Sequence, residues 1–406
     1  MARTVAGLPK GTRITDWVSL GVLAEAVPGE AVHRVLRETG RQSQRQRQLP
    51  AHVVVYYVMA LALYMDVSYG EVLRCLLEGL AWLGLPVRRL RQTGRSSISQ
   101  ARSRLGAEPV KRLYEELVRP IATPETRGAR YRRWAVVSLD GSTLDLADTA
   151  ENAAAFGRPG AARGQSGFPQ VRFVTLVENG THVLFGARWG RYATGESTLA
   201  HDVVAQLRPG MLCLADRGYF GYALWQRGVD TGADLLWRLK KNLVLPPTQR
   251  LADGSYLSTI YPSVKARRHA RQGRVVRVID YRLEGLAGAE PVYRLATTVL
   301  DAHAAPAAEL AALYHERWEI ETAFDELKTH LRGRRIVLRS KTPDLVAQEF
   351  YGLLLTHYAV RGLMHEAAGR ADRDPDELSF VHAVRVVKRK LPTLVAIPPS
   401  GEATPP

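Results

Sequence analysis

The chain has 406 residues, of which 46% are hydrophobic and 24% are charged, a composition typical of a folded protein with two or three domains. Its 56 Lys and Arg against 40 Asp and Glu give a net charge of +16, which favours a polyanionic partner such as nucleic acid. The longest apolar run, residues 51–65, is too short to span a membrane and the N-terminus has no apolar signal core, so we expect a cytoplasmic protein without a membrane partner.

The positive charge is clustered along the chain. Residues 88–133 contain 13 Lys or Arg against 4 acids, while residues 265–277 and 328–341 contain six basic residues each and no acid. Any one of these clusters is equally well explained as a solvated surface. Three clusters in separate segments favour a basic track along double-stranded DNA, with phosphate contacts supplying most of the affinity.

The N-terminal part of the chain has a helical pattern. Apolar residues recur every three or four positions between residues 15 and 118, which predicts an all-helical domain over residues 1–130 for DNA binding or dimer contacts. Within it, Ser96–Gly106 resembles a serine-capped helix that ends at glycine. That helix is either a DNA-reading helix or a capped surface helix.

From Trp134 the pattern changes to strands. An apolar run begins there, and two further strand-like runs over residues 171–190 are joined by Asn179-Gly180, the strongest short signal for a hairpin. A helix-like segment, 196–207, precedes another buried strand, 211–215, and a strand candidate, 234–243. This order predicts an α/β fold with an RNase H-like catalytic core, whose first part covers residues 131–243.

The remaining segments complete the predicted organisation. Residues 244–300 contain Pro246-Pro247, short β-like runs and a basic cluster, and we interpret them as a β-rich insertion. Helices over residues 301–370 complete the core and include a further C-terminal helix. Residues 371–406 form a C-terminal basic segment with a proline-rich, disordered tail.

Two aspartates follow predicted core strands. Asp140 comes after the run VVSL and before Gly141-Ser142, and Asp216 comes after MLCLA and before Arg217-Gly218-Tyr219. Either residue alone is more often a turn or cap residue, because Asp favours turns. A carboxylate at the end or edge of a central strand lies at an exposed rim while its neighbours are buried, and the recurrence of this pattern on two predicted core strands argues against two ordinary turn residues.

The third acid lies on the helix with the sequence YHERWEIETAFDELK. At about 100° per residue, Tyr314, Arg317, Glu321 and Lys328 form a narrow polar strip beside the apolar stripe. Asp325 is the competing acid near that strip, whereas Glu316, Glu319 and Glu326 point away and are predicted to be solvated. The simpler alternative is an amphipathic helix with a boundary ion pair between Arg317 and Glu321.

Three carboxylates suit an enzyme that cuts phosphodiesters. Mg²⁺ takes oxygen ligands, and two such ions about 4 Å apart stabilise the attacking and leaving oxygens of an in-line displacement. One Asp bridging both ions, with a second Asp and a Glu on one ion each, is the smallest sufficient set. Arg317 and Lys328 would then lie where DNA phosphates pass.

These motifs together resemble the signature of the insertion-sequence-4 family of bacterial transposases. The matching elements are DGS at Asp140–Ser142, DRGY at Asp216–Tyr219, and Y-x2-R-x3-E-x6-K from Tyr314 to Lys328. The resemblance covers about residues 134–368, and residues 15–118 are more loosely similar to the N-terminal domain of the family.

The resemblance implies a DDE triad of Asp140, Asp216 and Glu321 that binds two Mg²⁺ ions, for which Mn²⁺ substitutes. It also implies that Tyr314, Arg317 and Lys328 contact transposon-end DNA near a base flipped out at the cleaved end. The implied activity is excision and reinsertion of an insertion element by a homodimer. Its DNA partners are the terminal inverted repeats and the target, at the bacterial nucleoid.

Three other functions remain open at this point. A catalytically inactive protein that binds transposon ends has the same basic clusters, and an RNase H-like nuclease or resolvase shares the triad. His315-Glu316 begins an H-E-x-x-H zinc motif, but Glu319 occupies the second histidine position, which argues against a metalloprotease.

Overall fold

The computed structural model describes residues 20–45, 49–82, 94–161, 164–165, 167–282, 290–331 and 337–389. The chain forms two compact units. We call Met1–Leu117, Glu326–Ala367 and Leu378–Pro406 the helical unit, and Val118–Asp325 with Ala368–Glu377 the sheet unit. The proline-rich tail expected after Pro392 lies outside the described residues.

The helices of both units are numbered in chain order. They are α1 (Leu20–Ala26), α2 (Gly29–Glu38), α3 (Ala51–Leu63), α4 (Tyr69–Trp82), α5 (Arg95–Leu105), α6 (Glu108–Leu117), α7 (Ala150–Phe156), α8 (Glu196–Val204), α9 (Tyr222–Val229), α10 (Val264–Arg268), α11 (Ala307–Leu313), α12 (Glu319–Asp325), α13 (Pro343–Arg370) and α14 (Phe380–Arg389).

The strands are numbered in the same way. They are β1 (Arg130–Tyr131), β2 (Trp134–Asp145), β3 (Gly160–Ala161), β4 (Gly164–Gln165), β5 (Gln170–Glu178), β6 (Val183–Arg191), β7 (Met211–Ala215), β8 (Asp234–Arg238), β9 (Gln249–Arg250), β10 (Tyr256–Ile260), β11 (Arg274–Tyr281) and β12 (Tyr293–Thr297).

The helical unit is built around α3. Every residue of this helix from Val53 to Leu63 is buried, so the apolar run that is too short for a membrane becomes core. A Cβ at Gly352 of α13 would come within 2.6 Å of Val58, so glycine permits close packing of α13 on α3. No helix among the described residues is long and apolar enough to cross a membrane.

Helix α5 differs in part from the predicted serine-capped helix. It ends before Gly106, whose φ of 71° needs glycine, as predicted. Its N-cap is Gly94 and no side chain caps it, so the predicted serine cap is wrong. Arg102 is buried and donates to Gln348 and Ser340, because this face of α5 packs within the helical unit.

The sheet unit contains one large mixed sheet among the described residues. Its order is β6-β5-β2-β7-β8-β12-β11-β10-β9, with β1 paired to β2. Strands β5 and β6 are antiparallel neighbours on one side of β2, and β7 and β8 follow in parallel on the other. This strand order confirms the RNase H-like core.

The β-rich segment extends the same sheet. Strand β12 pairs antiparallel with β8, and β11, β10 and β9 continue outward from it. Its pairing gives the backbone of β8 a second neighbour in place of an open edge. The segment predicted as an insertion therefore adds strands to the sheet that carries Asp140.

The predicted hairpin joins β5 and β6 through a four-residue turn, residues 179–182. Gly180 has φ 79°, and a Cβ there would lie 2.6 Å from the Arg127 carbonyl oxygen, so both conformation and space require glycine. His182 also has a positive φ, 56°. The Asn-Gly signal thus predicted the hairpin correctly.

The glutamate-bearing helix changes its winding along its length. Helix α11 is followed by a 3₁₀ turn (Tyr314–Trp318), by α12, and by a π-helical turn (Glu326–Leu331). A uniform 100° wheel therefore misplaces some side chains. Glu316 is exposed as predicted, but Glu319 and Glu326 are largely buried, so the prediction that these two are solvated is wrong.

Candidate active site

Asp140 and Asp216 leave neighbouring parallel strands at the same edge. Strands β2 and β7 are paired up to Leu139 opposite Ala215, and the two aspartates are the next residues. Parallel strands lie about 4.8 Å apart, so the two side chains start from adjacent positions. Asp140 lies within β2 rather than at its end, because β2 continues to Asp145 along β5.

The environment of Asp140 opposes its ionisation. Burial raises its pKa from 3.8 to about 6, and the carboxylates of Glu196 and Asp216 add to the rise. Two contacts act in the other direction. The Gly141 amide donates to Oδ1 at 2.8 Å, and Arg317 Nη1 lies 3.3 Å from Oδ2. The site therefore holds an excess of negative charge when Asp140 is ionised.

Arginines lie against all three predicted acids. Arg317 is 3.3 Å from Asp140 and 3.7 Å from Glu321, whose side chain is 49% exposed. Arg238 of β8 lies 4.0 Å from Asp216. One guanidinium therefore links an acid of the sheet to an acid of the helix.

Tyr219 and Glu196 belong to this site, although no role was predicted for either. The Tyr219 hydroxyl lies 3.4 Å from Asp140 Oδ1 and 3.3 Å from Glu196 Oε2. A Cβ at Gly141 would lie 3.0 Å from both the Glu196 side chain and the Tyr219 hydroxyl. The glycine of the DGS motif thus permits this close approach. Glu196 begins α8, so its sequence context indicates only an acidic first turn.

The residues predicted to contact DNA differ in exposure. Tyr314 is buried, and its hydroxyl donates to the Ala215 carbonyl at 3.2 Å, next to Asp216. Arg317 is largely buried beside the acids, and Lys328 is half-buried in the π-helical turn. The burial of Tyr314 favours a positioning role, while its contact with DNA stays a prediction.

The β5–β6 turn holds the helix against the sheet. Asn179 Nδ2 donates to the Glu316 carbonyl at 3.0 Å, and Asn179 Oδ1 accepts from Ser138 Oγ at 2.9 Å. Phe173 and Phe324 pack edge to face at 5.5 Å. These contacts set the position of Arg317 and Glu321 relative to β2.

The donor set of the site suits a divalent cation. Asp140, Asp216 and Glu321 offer carboxylate oxygens, which hard divalent ions prefer. Among the described residues, the three acids do not bring one oxygen each within 4.8 Å of one another. Arg317 and Arg238 already place positive charge against these acids, as a bound cation would. The chemistry of these oxygen donors therefore suits a divalent cation, whereas their spacing with the arginines in place does not close around one.

Two family models match the chain. Residues 17–115 match Insertion element 4 transposase N-terminal, and residues 135–358 match Transposase DDE domain. The chain is 30% identical over 385 residues to Transposase InsG for insertion sequence element IS4 of Escherichia coli (strain K12), covering 93% of this chain and 84% of InsG.

A solved structure of piggyBac transposase, a synaptic complex with hairpin DNA, aligns with a TM-score of 0.48 and 11% identity, covering 93% of this chain and 81% of that chain. The two matched families and the similarity to InsG carry the assignment. DDE transposases bind DNA and generally depend on a divalent metal ion. The chain belongs to the insertion element 4 family of DDE transposases.

Proposed function

We propose that this transposase excises and reinserts its element by phosphodiester hydrolysis and strand transfer, with Asp140, Asp216 and Glu321 as the catalytic acids. These acids would hold two Mg²⁺ ions, with Mn²⁺ able to substitute, and the ions would stabilise the attacking and leaving oxygens at phosphorus. The observation that carries the proposal is the contact of one guanidinium, Arg317, with both Asp140 and Glu321.

The neighbouring residues would position the acids and the DNA. Tyr219, whose hydroxyl also contacts Glu196, holds Asp140 from one side, and Tyr314 holds the backbone before Asp216. We propose Arg317 and Lys328 as phosphate contacts, with Tyr314 near the same DNA end. A guanidinium is well suited to this, because its fork of donors matches phosphate oxygens.

The DNA partners proposed are the terminal inverted repeats and the target duplex, held by a homodimer at the bacterial nucleoid. Five basic residues of the 265–277 cluster are exposed and support a phosphate track: Lys265, Arg267, Arg268, Arg271 and Arg274. Arg277 is buried instead, paired with Asp253. Residues 1–130, predicted as the N-terminal domain, are proposed to add DNA and dimer contacts.

Cleavage of a labelled duplex carrying the element's own flanking repeat tests the proposal. We expect Mg²⁺-dependent nicking at the repeat boundary by wild type, and a loss of at least about 100-fold in Asp140→Ala, because a transition-state charge contact is removed. Asp145→Asn, on the same strand, is the matched control and keeps activity. Tight DNA binding without cleavage in Mg²⁺ or Mn²⁺ would show that the protein is an inactive end-binding protein. Cleavage without strand transfer would show that it is a nuclease.

The third acid is tested on its own helix. Glu321→Ala should abolish strand cleavage while leaving end binding largely intact, and Asp325→Ala, an exposed acid one turn later, should retain cleavage. Gel-shift and nicking assays on the same duplex measure both properties. Loss of cleavage in Asp325→Ala but not in Glu321→Ala would contradict our assignment.

The proposed phosphate contacts are tested by salt dependence. Arg317→Ala or Lys328→Ala should lower the slope of log K against log salt by about 0.9 each, because one neutralised phosphate no longer releases its counterions. Arg208→Ala, an exposed arginine before β7, is the control. Unchanged slopes in both variants would remove these residues from the DNA contacts.

A further inference from the structure

A second group of side chains with metal-binding chemistry lies in the sheet unit. His182 Nε2 is 3.2 Å from Asp376 Oδ1 and 3.8 Å from Glu319 Oε2. The three residues each bring one ligand atom to within 4.8 Å of the other two. None of them belongs to the acids proposed for catalysis.

Three separate elements bring this group together. His182 is in the β5–β6 turn, Glu319 begins α12, and Asp376 is in a 3₁₀ turn at Pro375–Glu377. Their side chains are 5%, 13% and 32% exposed. The imidazole is therefore almost wholly buried and directed at two carboxylates, while the Asp376 side leaves access for an ion.

The distances fit a coordinated cation. Zn²⁺ binds His nitrogen and carboxylate oxygen at about 2.0–2.2 Å with tetrahedral geometry, which places neighbouring ligand atoms about 3.3–3.6 Å apart. The observed separations of 3.2 and 3.8 Å lie on either side of this range. A mixed nitrogen and oxygen donor set also favours a transition metal over Mg²⁺.

A cation would also relieve repulsion within the group. The largely buried Glu319 carboxylate faces the exposed Asp376 carboxylate, and the Glu316 side chain acts on Glu319 as a third carboxylate. The Gly180 amide, which donates to Glu319 Oε2 at 2.5 Å, is a neutral donor. Like charges in a medium of low polarity are stabilised by a cation or by a proton.

We propose that His182, Glu319 and Asp376 form a site for a transition-metal ion of the zinc class, with water at the remaining position. The ion would tie the β5–β6 turn to the helix two residues from Arg317 and Glu321. This site is separate from the metal-binding acids of the proposed mechanism, so it stands or falls independently of them.

Metal binding to the full-length, untagged protein tests the site. Zn²⁺ is titrated in millimolar Mg²⁺ into the Asp140→Ala variant, so that the catalytic acids do not contribute. We expect close to one Zn²⁺ per chain by equilibrium dialysis and a rise in melting temperature on Zn²⁺ addition. Co²⁺ should give the visible absorption of a site with few ligands.

In the Asp140→Ala background, a second substitution, His182→Gln or Glu319→Gln, should weaken Zn²⁺ binding by at least about tenfold. Loss of a residue that only hydrogen-bonds to a metal ligand already costs about that much. His303→Ala, an exposed histidine of the same unit, is the control and should bind normally. Circular dichroism verifies that each variant is folded. Full Zn²⁺ binding by folded His182→Gln, or no Zn²⁺ binding by the parent, would overturn the proposal and leave a proton-bearing cluster.

Discussion

The helical segment from Tyr314 to Leu331 takes part in two arginine–carboxylate clusters, which differ in how tightly the arginine pairs with the carboxylate and in how exposed the carboxylates are. In the helical unit, Arg361 forms a fork on Glu326 at 2.6 and 2.9 Å, with side chains 1% and 6% exposed. In the sheet unit, Arg317 lies 3.3 Å from Asp140 and 3.7 Å from Glu321, whose side chains are 23% and 49% exposed.

The difference separates a structural ion pair from an exchangeable one. A buried fork satisfies both carboxylate oxygens, and breaking it leaves an uncompensated charge. A longer, more exposed contact contributes little to stability and can be exchanged for another cation. We therefore expect substitutions in the first cluster to lower stability, and those in the second to change chemistry.

The largest expected effect is that of Glu326→Gln. This change leaves the Arg361 guanidinium buried without its counter-charge, and should lower the free energy of unfolding by about 3–5 kcal/mol. Urea unfolding followed by circular dichroism measures it. A loss below about 1 kcal/mol would show that the closed cluster is no more important for stability than a surface pair.

The next effect is acid sensitivity through His357. Burial lowers its pKa from 6.5 to about 3, although the Glu326 carboxylate, which also accepts from Arg361, lies 3.2 Å away. In the unfolded chain His357 becomes protonated below about pH 6.5, whereas in the folded chain it stays neutral down to about pH 3. The free energy of unfolding therefore falls as the pH falls from 6.5 to 3.

We expect His357 to account for a loss of about 2 kcal/mol between pH 7 and pH 5. His357→Gln keeps a hydrogen-bond donor for Glu326 but cannot take up the proton. The free energy of unfolding of wild type minus that of the variant therefore gives the contribution of His357 protonation. Urea unfolding at both pH values gives this difference. A difference that does not change with pH would show that His357 titrates normally.

A smaller effect of opposite sign is expected at Asp140. Its folded pKa of about 6 lies above the ordinary 3.8, so its contribution to stability is present below about pH 3.8 and is lost as the pH rises through 6. This rise in pKa corresponds to about 3 kcal/mol at most. Because the Asp140 side chain is 23% exposed and partly screened by solvent, Asp140→Asn should be more stable than wild type at pH 7 by about 1–2 kcal/mol, and equally stable at pH 3.5. Thermal melts at the two pH values measure this; destabilisation at pH 7 would contradict the rise in pKa.

The smallest effect on stability is expected for Arg317→Gln. Arg317 is itself buried, but its carboxylate partners are 23% and 49% exposed and its contacts with them are long, so these contacts should contribute less than about 1 kcal/mol to the free energy of unfolding. Its DNA cleavage should nevertheless fall together with its DNA affinity. A stability loss like that of Glu326→Gln would make Arg317 a structural residue and end the distinction between the clusters.

Several features were predictable because they depend on near neighbours in the chain. The two strand-like runs joined by Asn179-Gly180 identified the hairpin, and the apolar runs before Asp140 and Asp216 identified two core strands, which the structure pairs with each other. The family was also predicted correctly, since its motif residues occur at fixed spacing. The catalytic roles of the three acids stay predictions.

Other features depended on contacts that sequence spacing does not show. Glu319 and Glu326 appeared solvated on a regular helical wheel, but 3₁₀ and π turns alter that wheel and other elements cover both side chains. Glu196 and Tyr219 meet at Asp140 from 56 and 79 residues away. Such approaches follow from strand order and helix packing.

The sequence by itself determined the α/β class, the order of the core elements, and the acids that follow its apolar strand runs and lie on its helix, because apolar patterning and motif spacing are local properties. Only the tertiary structure decided which carboxylates form buried pairs with arginine, which histidine faces two acidic side chains, and which glycine lets neighbouring side chains approach its backbone. Burial and partner geometry set these properties, and both arise from residues far apart in the chain.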